Sequence, residues 1–314
     1  MKAKYIIGID LGGTNLKIAL LDSQYKIKNK QILNTQGFKR QQDLVEAIVY
    51  SIRKVCADNK IRKGNLLGVG LGLPGPVDQA KGIAHFFPNI PGWKEVGLKA
   101  ILERKTGLRV FLDNDAKLMG LAEKRLGSAR NFRNALCLTL GTGVGGSIFI
   151  DGKLFRGGKN AAGEIGHLPI NERGVRCNCG GRGCLEAYIG NNRIMQQARR
   201  VFKRKISLEE LSIQARRKEK KAVAIWRKIG WHLGVALSAA VNLLNLDAIV
   251  IGGGVANAGE ILFASTRKTI NQRAMSVQAK HVLVFKAKLG SDAGLIGAAI
   301  LVKEGVNENI HRHS

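Results

Sequence analysis

Residues 161–190 read AAGEIGHLPINERGVRCNCGGRGCLEAYIG. Three of the chain's five cysteines fall here, as Cys177, Cys179 and Cys184, and His167 stands ten positions before the first of them. Three thiolates and one imidazole complete the four-ligand set of a closed, tetrahedral zinc site. Gly180, Gly181 and Gly183 let the loop turn back so that Cys184 can rejoin the set. Free buried thiols are the plain alternative, but packing gives no reason for Cys-x-Cys followed, after four residues, by a third cysteine. A disulfide needs an oxidising compartment, which nothing else in the chain suggests. Glu164 and Glu186 lie within two or three residues of a ligand. Taken singly, each reads as a surface carboxylate. Attached jointly to the metal ligands, they would be pinned with His167 around one polar pocket.

Working outward, the chain of 314 residues suggests two domains, at roughly 150 residues per domain. Hydrophobic residues make up 45% and charged residues 24%, as in ordinary globular proteins. No apolar run reaches the roughly 18 residues of a membrane span. The N-terminal residues Met1 to Tyr5 lead into a strand-like run with no apolar signal core, so a cytoplasmic location with reduced thiols is expected. The net charge of +28 favours polyanions. Twelve Lys and Arg face three Glu between Arg199 and Lys228. Only Phe202 and Trp226 interrupt that run, too few for a stacking platform, so it is read as a solvated basic face and no nucleic-acid partner is expected.

Near the N-terminus, Tyr5 to Asp10 reads as a buried strand, Leu11 to Thr14 as a tight turn and Asn15 to Leu21 as the returning strand. Gly12 and Gly13 permit positive φ and leave room for an anion to meet backbone N–H groups. Asp10, at the strand end, could hold Mg²⁺ through water. On the pattern alone, a plain hairpin is an equal reading. Tyr25 to Leu33 extends the meander, and Gln41 to Asn59 carries Leu44, Val45, Ile48, Ile52 and Val55 at helical spacing.

Ala135 to Leu140 is a second strand, followed by the glycine run Gly141 to Gly146, the strand Ser147 to Ile150 and the hairpin signal Asp151-Gly152. Both this run and Gly70 to Gly75 satisfy G-x-G-x-x-G. The first is followed by a strand and the second by Pro74-Gly75-Pro76, so neither has the helix that a dinucleotide fingerprint requires. A nicotinamide dehydrogenase is the least expected alternative on that ground. Two glycine hairpins of one layout instead imply two related half-domains. Asp113-Asn114-Asp115 lies between a short strand and the helix Ala116 to Leu126, where carboxylates suit either helix capping or chemistry. Further on, Asn191 to Lys205, Leu208 to Arg217 and Ala222 to Leu246 read as helices. Asp247 to Ile251 is a strand opening into Gly252-Gly253-Gly254, and Asp292 to Val302 is a final helix before a frayed tail. Cys56 and Cys137 lie in apolar segments and read as inert core residues.

The string Glu164-Ile165-Gly166-His167, then Cys-x-Cys-Gly-x-x-Gly-Cys-Leu-Glu, resembles the signature of the ROK family of repressors, uncharacterised reading frames and sugar kinases, above all its bacterial glucokinases. Asp10-x-Gly-Gly-Thr-Asn15 is similar to the first phosphate-binding turn of sugar kinases, actin and heat-shock ATPases. Asn114-Asp115-Ala116 matches the Asn-Asp-Ala of sugar kinases, although Lys117 stands where the family usually has Asn. The resemblance implies an α/β, actin-like (ribonuclease H-like) ATPase fold of two domains with a nucleotide and sugar cleft between them. The domains would be 1–115, joined by a C-terminal helix at 300–314, and 116–299, carrying the zinc loop 167–184.

It also implies an ATP-dependent hexose kinase with Asp115 as general base. Asn89, Asn114, Asp115, Glu164, His167 and Glu186 would bind the sugar. Asp10, Gly12, Gly13, Thr14, Asn15, Lys17, Gly141, Thr142, Gly143, Gly253 and Gly254 would bind the nucleotide, with Mg²⁺ at Asp10. His167, Cys177, Cys179 and Cys184 would hold structural Zn²⁺. Glucose is the leading acceptor; N-acetylmannosamine, N-acetylglucosamine, allose and fructose are the alternatives. A sugar-responsive DNA-binding repressor is the less expected alternative, since ROK repressors carry a winged helix ahead of the first glycine turn and none is expected before Asp10. A homodimer or homotetramer is expected.

Overall fold

The computed structural model describes residues 4–35, 37–38, 40–86 and 93–311. The chain divides into two compact units, Met1–Ala122 with Arg156–Ala161 and Ser291–Ser314, and Glu123–Phe155 with Ala162–Gly290.

In the first unit, β1 (Tyr5–Leu11), β2 (Asn15–Asp22) and β3 (Ile27–Asn34) form an antiparallel meander. β3 alternates half-buried and exposed residues and carries three lysine or asparagine positions on its open side, as an edge strand should. α1 (Gln41–Asp58) buries Leu44, Val45, Ile48, Ile52 and Val55, the stripe its spacing predicts. β4 (Leu66–Leu73) then runs parallel to β1. A small sheet of β5 (Val77–Asp78), β6 (Ile83–Phe86) and β7 (Lys94–Val96) follows, then α2 (Leu98–Thr106), β8 (Val110–Asn114) parallel to β4, and α3 (Asp115–Leu126). The main sheet has the order β3-β2-β1-β4-β8.

The second unit repeats that plan. β9 (Ala135–Leu140), β10 (Val144–Ile150) and β11 (Lys153–Phe155) form the meander. The metal-loop segment and the helices α4 (Glu186–Ile189), α5 (Asn191–Phe202), α6 (Leu208–Arg216) and α7 (Lys220–Leu244) come next. β12 (Ala248–Gly252), α8 (Glu260–Arg273), α9 (Ser276–His281) and β13 (Leu283–Lys286) complete the order β11-β10-β9-β12-β13. Gly230 and Gly234 on α7 face α8, where a Cβ on Gly230 would lie 2.6 Å from the Leu262 carbonyl oxygen. The last helix, α10 (Ala293–His311), returns to the first sheet. Gly70 of β4 accepts it, since a Cβ there would strike the Ala298 carbonyl.

The structure corrects several sequence expectations. The glycine turn of the second meander is three residues long, because β10 begins at Val144 and not Ser147. Gly145 and Gly146 lie within the strand, where a Cβ on Gly146 would sit 2.5 Å from the Gly163 carbonyl oxygen. β5 to β7, α2 and α9 are too short to leave a clear period. α10 runs beyond Val302 to His311, since Gly305 packs on the Phe111 ring and does not end the helix. Strands, not helices, follow both G-x-G-x-x-G runs.

Candidate active site

Register alone lines up the first unit's polar groups. Asp10 of β1 pairs with Gly72 of β4, and Gly72 pairs with Asp113 of β8. These are the C-terminal ends of three parallel strands, the usual place for ligand chemistry in an α/β sheet. Asp10 Oδ2 accepts from Lys17 Nζ at 3.2 Å, and Lys17 also donates to the Ser291 carbonyl at 3.0 Å. The turn between β1 and β2 is closed by Gly12 N donating to Asn15 O at 2.9 Å. Gly12 does not take a positive φ, and a Cβ on it would meet nothing nearer than 3.5 Å. The fold itself therefore does not require glycine at this position, and its bare Cα leaves room beside the turn.

At the end of β8, Asn114 Oδ1 accepts from Ala116 N at 3.0 Å and Lys117 N at 3.3 Å. These are the second and third helical N–H groups of α3, so Asn114 is its N-cap. Asn114 Nδ2 donates to the Gly75 carbonyl at 3.1 Å, which fixes the amide's orientation. Asp115 follows as the first helical residue, half-buried, with Oδ1 2.7 Å from Ala116 N. Behind this corner, Asp113 is wholly buried and accepts from Asn114 N at 2.9 Å and Arg156 Nη1 at 2.6 Å. Asn89 lies outside the described residues.

In the second unit the metal loop is folded by its own backbone. Cys177 N donates to Gly181 O at 2.9 Å, and Gly183 N donates to Val175 O at 2.9 Å. Gly183 takes φ +68, with the Asn171 carbonyl where a Cβ would be, so only glycine delivers Cys184 from this bend. The donor atoms of His167, Cys177, Cys179 and Cys184 all lie within 4.8 Å of one another. Cys179 Sγ and Cys184 Sγ are 3.7 Å apart, and Cys177 Sγ is 3.8 Å from His167 Nδ1. A tetrahedron with Zn–S near 2.3 Å has edges of about 3.8 Å, so the donor set fits zinc. Burial, reinforced by the neighbouring sulfurs, pushes the Cys184 thiol up to about 12, while the Gly181 N–H lowers Cys179. A cation among the three sulfurs would favour their thiolate form and offset the repulsion between them. Cys137 is wholly buried on β9, and burial pushes its thiol up, as befits a core residue.

Glu164 and His167 leave one short turn, with His167 N donating to Glu164 O at 3.0 Å. Glu164 is exposed and His167 half-buried. Glu186, at the start of α4, has Oε2 accepting from Val144 N at 2.9 Å. Asn191 N donates to the Gly141 carbonyl at 2.9 Å. The metal loop, α4 and the glycine turn Gly141–Gly143 are thus one connected piece. Gly141 and Gly254 have open space where a Cβ would be, and neither takes a positive φ. Gly253, at φ +85, lies against the Leu140 carbonyl, which brings both glycine turns to one edge of the second sheet.

The ROK family profile matches residues 6–305. The chain belongs to the ROK family. It is 33% identical over 315 residues to a glucokinase of Thermotoga maritima, covering 96% of this chain and 98% of that protein. A ROK family glucokinase from Streptomyces griseus, solved in complex with glucose and AMPPNP, superposes with a TM-score of 0.84 at 29% identity, covering 96% of this chain and 100% of that one. A xylose repressor of Caldicellulosiruptor bescii is 29% identical over 311 residues, covering 95% of this chain and 77% of the repressor. With two sheets of one topology, the family fixes an actin-like α/β fold.

Within this ROK fold the structure gathers the expected residues into a group per unit. Asp10, Gly12 to Asn15, Lys17, Asn114 and Asp115 belong to the first. Gly141 to Gly143, Glu164, His167, the three cysteines, Glu186, Gly253 and Gly254 belong to the second. Sequence reading passed over Arg156, Asn160 and the side chain of Asp113, whose partners lie 43 positions away in the chain. An arginine next to glycines gives no periodic signal. The one available hint was a second acidic residue, Asp113, beside Asn114-Asp115.

Proposed function

We propose that this ROK protein is an ATP-dependent hexose kinase that transfers the γ-phosphoryl group to a sugar hydroxyl, with O6 of glucose the leading acceptor. The observation that carries this reading is the division of labour at the β8–α3 corner. Asn114 caps α3 through Ala116 N and Lys117 N, and Asp115, whose Oδ1 shares Ala116 N at 2.7 Å, adds a half-buried carboxylate at the same corner, at the C-terminal ends of the parallel strands. Asp115 takes the proton of the attacking hydroxyl as the sugar oxygen bonds to the γ-phosphorus and the bond to ADP breaks. Such general-base catalysis contributes about 10²- to 10⁴-fold. The rest is positioning and charge neutralisation, as phosphoryl transfer demands.

The sugar hydroxyls are held by Asn114, Glu164, His167 and Glu186, with Asn89 assigned by family resemblance. His167 uses Nδ1 on the metal side and Nε2 toward the sugar, so metal ligation fixes its tautomer. Glu186 keeps one oxygen on Val144 N and offers the other. The nucleotide is held by Gly12, Gly13, Thr14, Asn15, Lys17, Gly141, Thr142, Gly143, Gly253 and Gly254. Asp10 would hold Mg²⁺, which would supply charge neutralisation to the donor phosphates. Zinc on His167, Cys177, Cys179 and Cys184 supplies rigidity and no Lewis-acid chemistry. Reduced thiols in a cytoplasmic setting suit that role.

A coupled ADP-release assay over a panel of hexoses tests the reading, with glucose expected to give the highest kcat/KM. The likeness to a xylose repressor supports a second reading, a sugar-responsive DNA-binding protein. Sequence-dependent binding to duplex DNA at physiological salt, with no ADP release on any sugar, would favour it.

A further inference from the structure

Asp113 is wholly buried, and a buried carboxylate persists only with compensating partners. Its Oδ2 accepts from Arg156 Nη1 at 2.6 Å, and the guanidinium is itself largely covered. The same nitrogen donates to Asn160 Oδ1 at 2.9 Å. Asn160 Nδ2 donates to the Val77 carbonyl at 2.8 Å. Lys117 is 4% exposed and its Nζ donates to the Asn160 carbonyl oxygen. Every polar atom of the Asn160 side chain is thereby engaged, and its backbone sits at φ +59, a left-handed conformation that few residues adopt. Four residues from β8, α3 and the segment Arg156–Ala161, Asp113 and Lys117 buried and Arg156 and Asn160 half-buried, form one connected network within the first unit.

The network surrounds the backbone that carries Asp115. Asp113 Oδ1 holds the N–H of Asn114 at 2.9 Å, and Asn114 in turn caps α3. Lys117 is two residues beyond Asp115 on the same helical turn. A general base must meet its proton at hydrogen-bond distance, so a small rotation of this turn is costly to turnover. A polar network joined by directional hydrogen bonds favours one arrangement, whereas an apolar filling of the same space would hold the turn less specifically.

We propose that Asp113, Arg156, Asn160 and Lys117 are positioning residues that set the first turn of α3 and so aim the carboxylate of Asp115 at the acceptor hydroxyl. The proposal rests on the reading of Asp115 as the base. None of the four needs to touch substrate to act in this way. The test measures kcat, sugar KM and ATP KM for Arg156→Met, Arg156→Lys and Asn160→Gly, with Asp115→Asn alongside. Rates are normalised to the number of sugar sites found by calorimetric titration with glucose. Asn160→Gly is included because glycine accepts φ +59, so the backbone stays while both side-chain bonds are lost.

The expected result is a kcat lowered about 10- to 100-fold per titrated site in Arg156→Met and Asn160→Gly, with both KM values within about threefold of the parent. Arg156→Lys should recover a large part of the rate. If kcat per titrated site stays at the parent value while Asp115→Asn is inactive, the network is merely structural and the proposal falls. If Asp115→Asn keeps near-parent turnover, the base assignment fails first, and the proposal with it. A variant that lowers kcat only through a smaller titrated fraction also counts against the proposal.

Discussion

Glu186 Oε2 accepts a hydrogen bond from the backbone N–H of Val144 at 2.9 Å, the residue that ends the turn Gly141–Gly143. A carboxylate two positions from the last cysteine ligand therefore braces a glycine turn more than forty residues earlier in the chain. A Cβ on Gly143 would lie 2.6 Å from the same oxygen, so glycine there is what lets the brace form. Removal of the carboxylate in Glu186→Ala should weaken sugar and nucleotide together. A hydrogen bond to a charged group contributes about 1.5–3 kcal/mol, which corresponds to roughly tenfold or more in affinity. Steady-state kinetics with each substrate varied in turn would show both KM values rising; an effect on sugar alone would contradict the brace.

Metal removal should act through the same piece of structure. Cys179→Ser leaves three donors where a closed site needs four. The expected outcome is loss of zinc by elemental analysis, a lower melting temperature and a higher sugar KM. Full metal content in the variant would show that the four residues do not act as one site. Because protons compete for the thiolates, zinc retention in the parent should also fall as pH is lowered.

Glu123 is a further buried carboxylate, and it serves the fold. Its Oε2 accepts from Ser128 N and its Oε1 from Leu289 N, each at 2.8 Å. Glu123→Ala should strand both N–H groups and lower stability by about 2–4 kcal/mol. Denaturant titration would read the loss, and an unchanged midpoint would refute it. The sugar KM of the folded fraction should not move.

His232 on α7 gives the protein a pH dependence of stability. It is buried against Tyr188 and Trp231, and its Nδ1 has no partner among the described residues. Burial, with a smaller contribution from Lys228, pushes its pKa down from 6.5 to about 4. Between those values the unfolded chain binds a proton that the folded chain refuses, so stability falls as pH drops from about 6.5 toward 4. His232→Phe should flatten this acid limb in melting curves taken across that range. An identical limb in parent and variant would assign the effect elsewhere.

The meanders and the longer helices were legible in the sequence because their signals are periodic: alternating burial, a helical stripe, paired glycines. The clustering of His167, Cys177, Cys179 and Cys184 was legible because four rare donors fall in one stretch. Less was visible where the determinant is a contact between distant positions. Asp113 meets Arg156 across 43 residues, and Glu123 meets Leu289 across 166. Nor does a glycine reveal in sequence why it is there. Gly12 and Gly141 look like conformational glycines yet take no positive φ, whereas Gly183 and Gly253 do. Only the backbone separates the glycine that a bend requires from the glycine that leaves room.

In the proposed reaction Asp115 takes the proton from a sugar hydroxyl as the γ-phosphoryl group is transferred. ADP release on glucose, measured for the parent and for Asp115→Asn with sugar binding titrated in both, tests it most directly. Rapid release is expected from the parent, and from the variant a kcat lower by at least about 10²-fold with sugar affinity preserved. Near-parent turnover by the variant, or no release by the parent on any hexose, would contradict it.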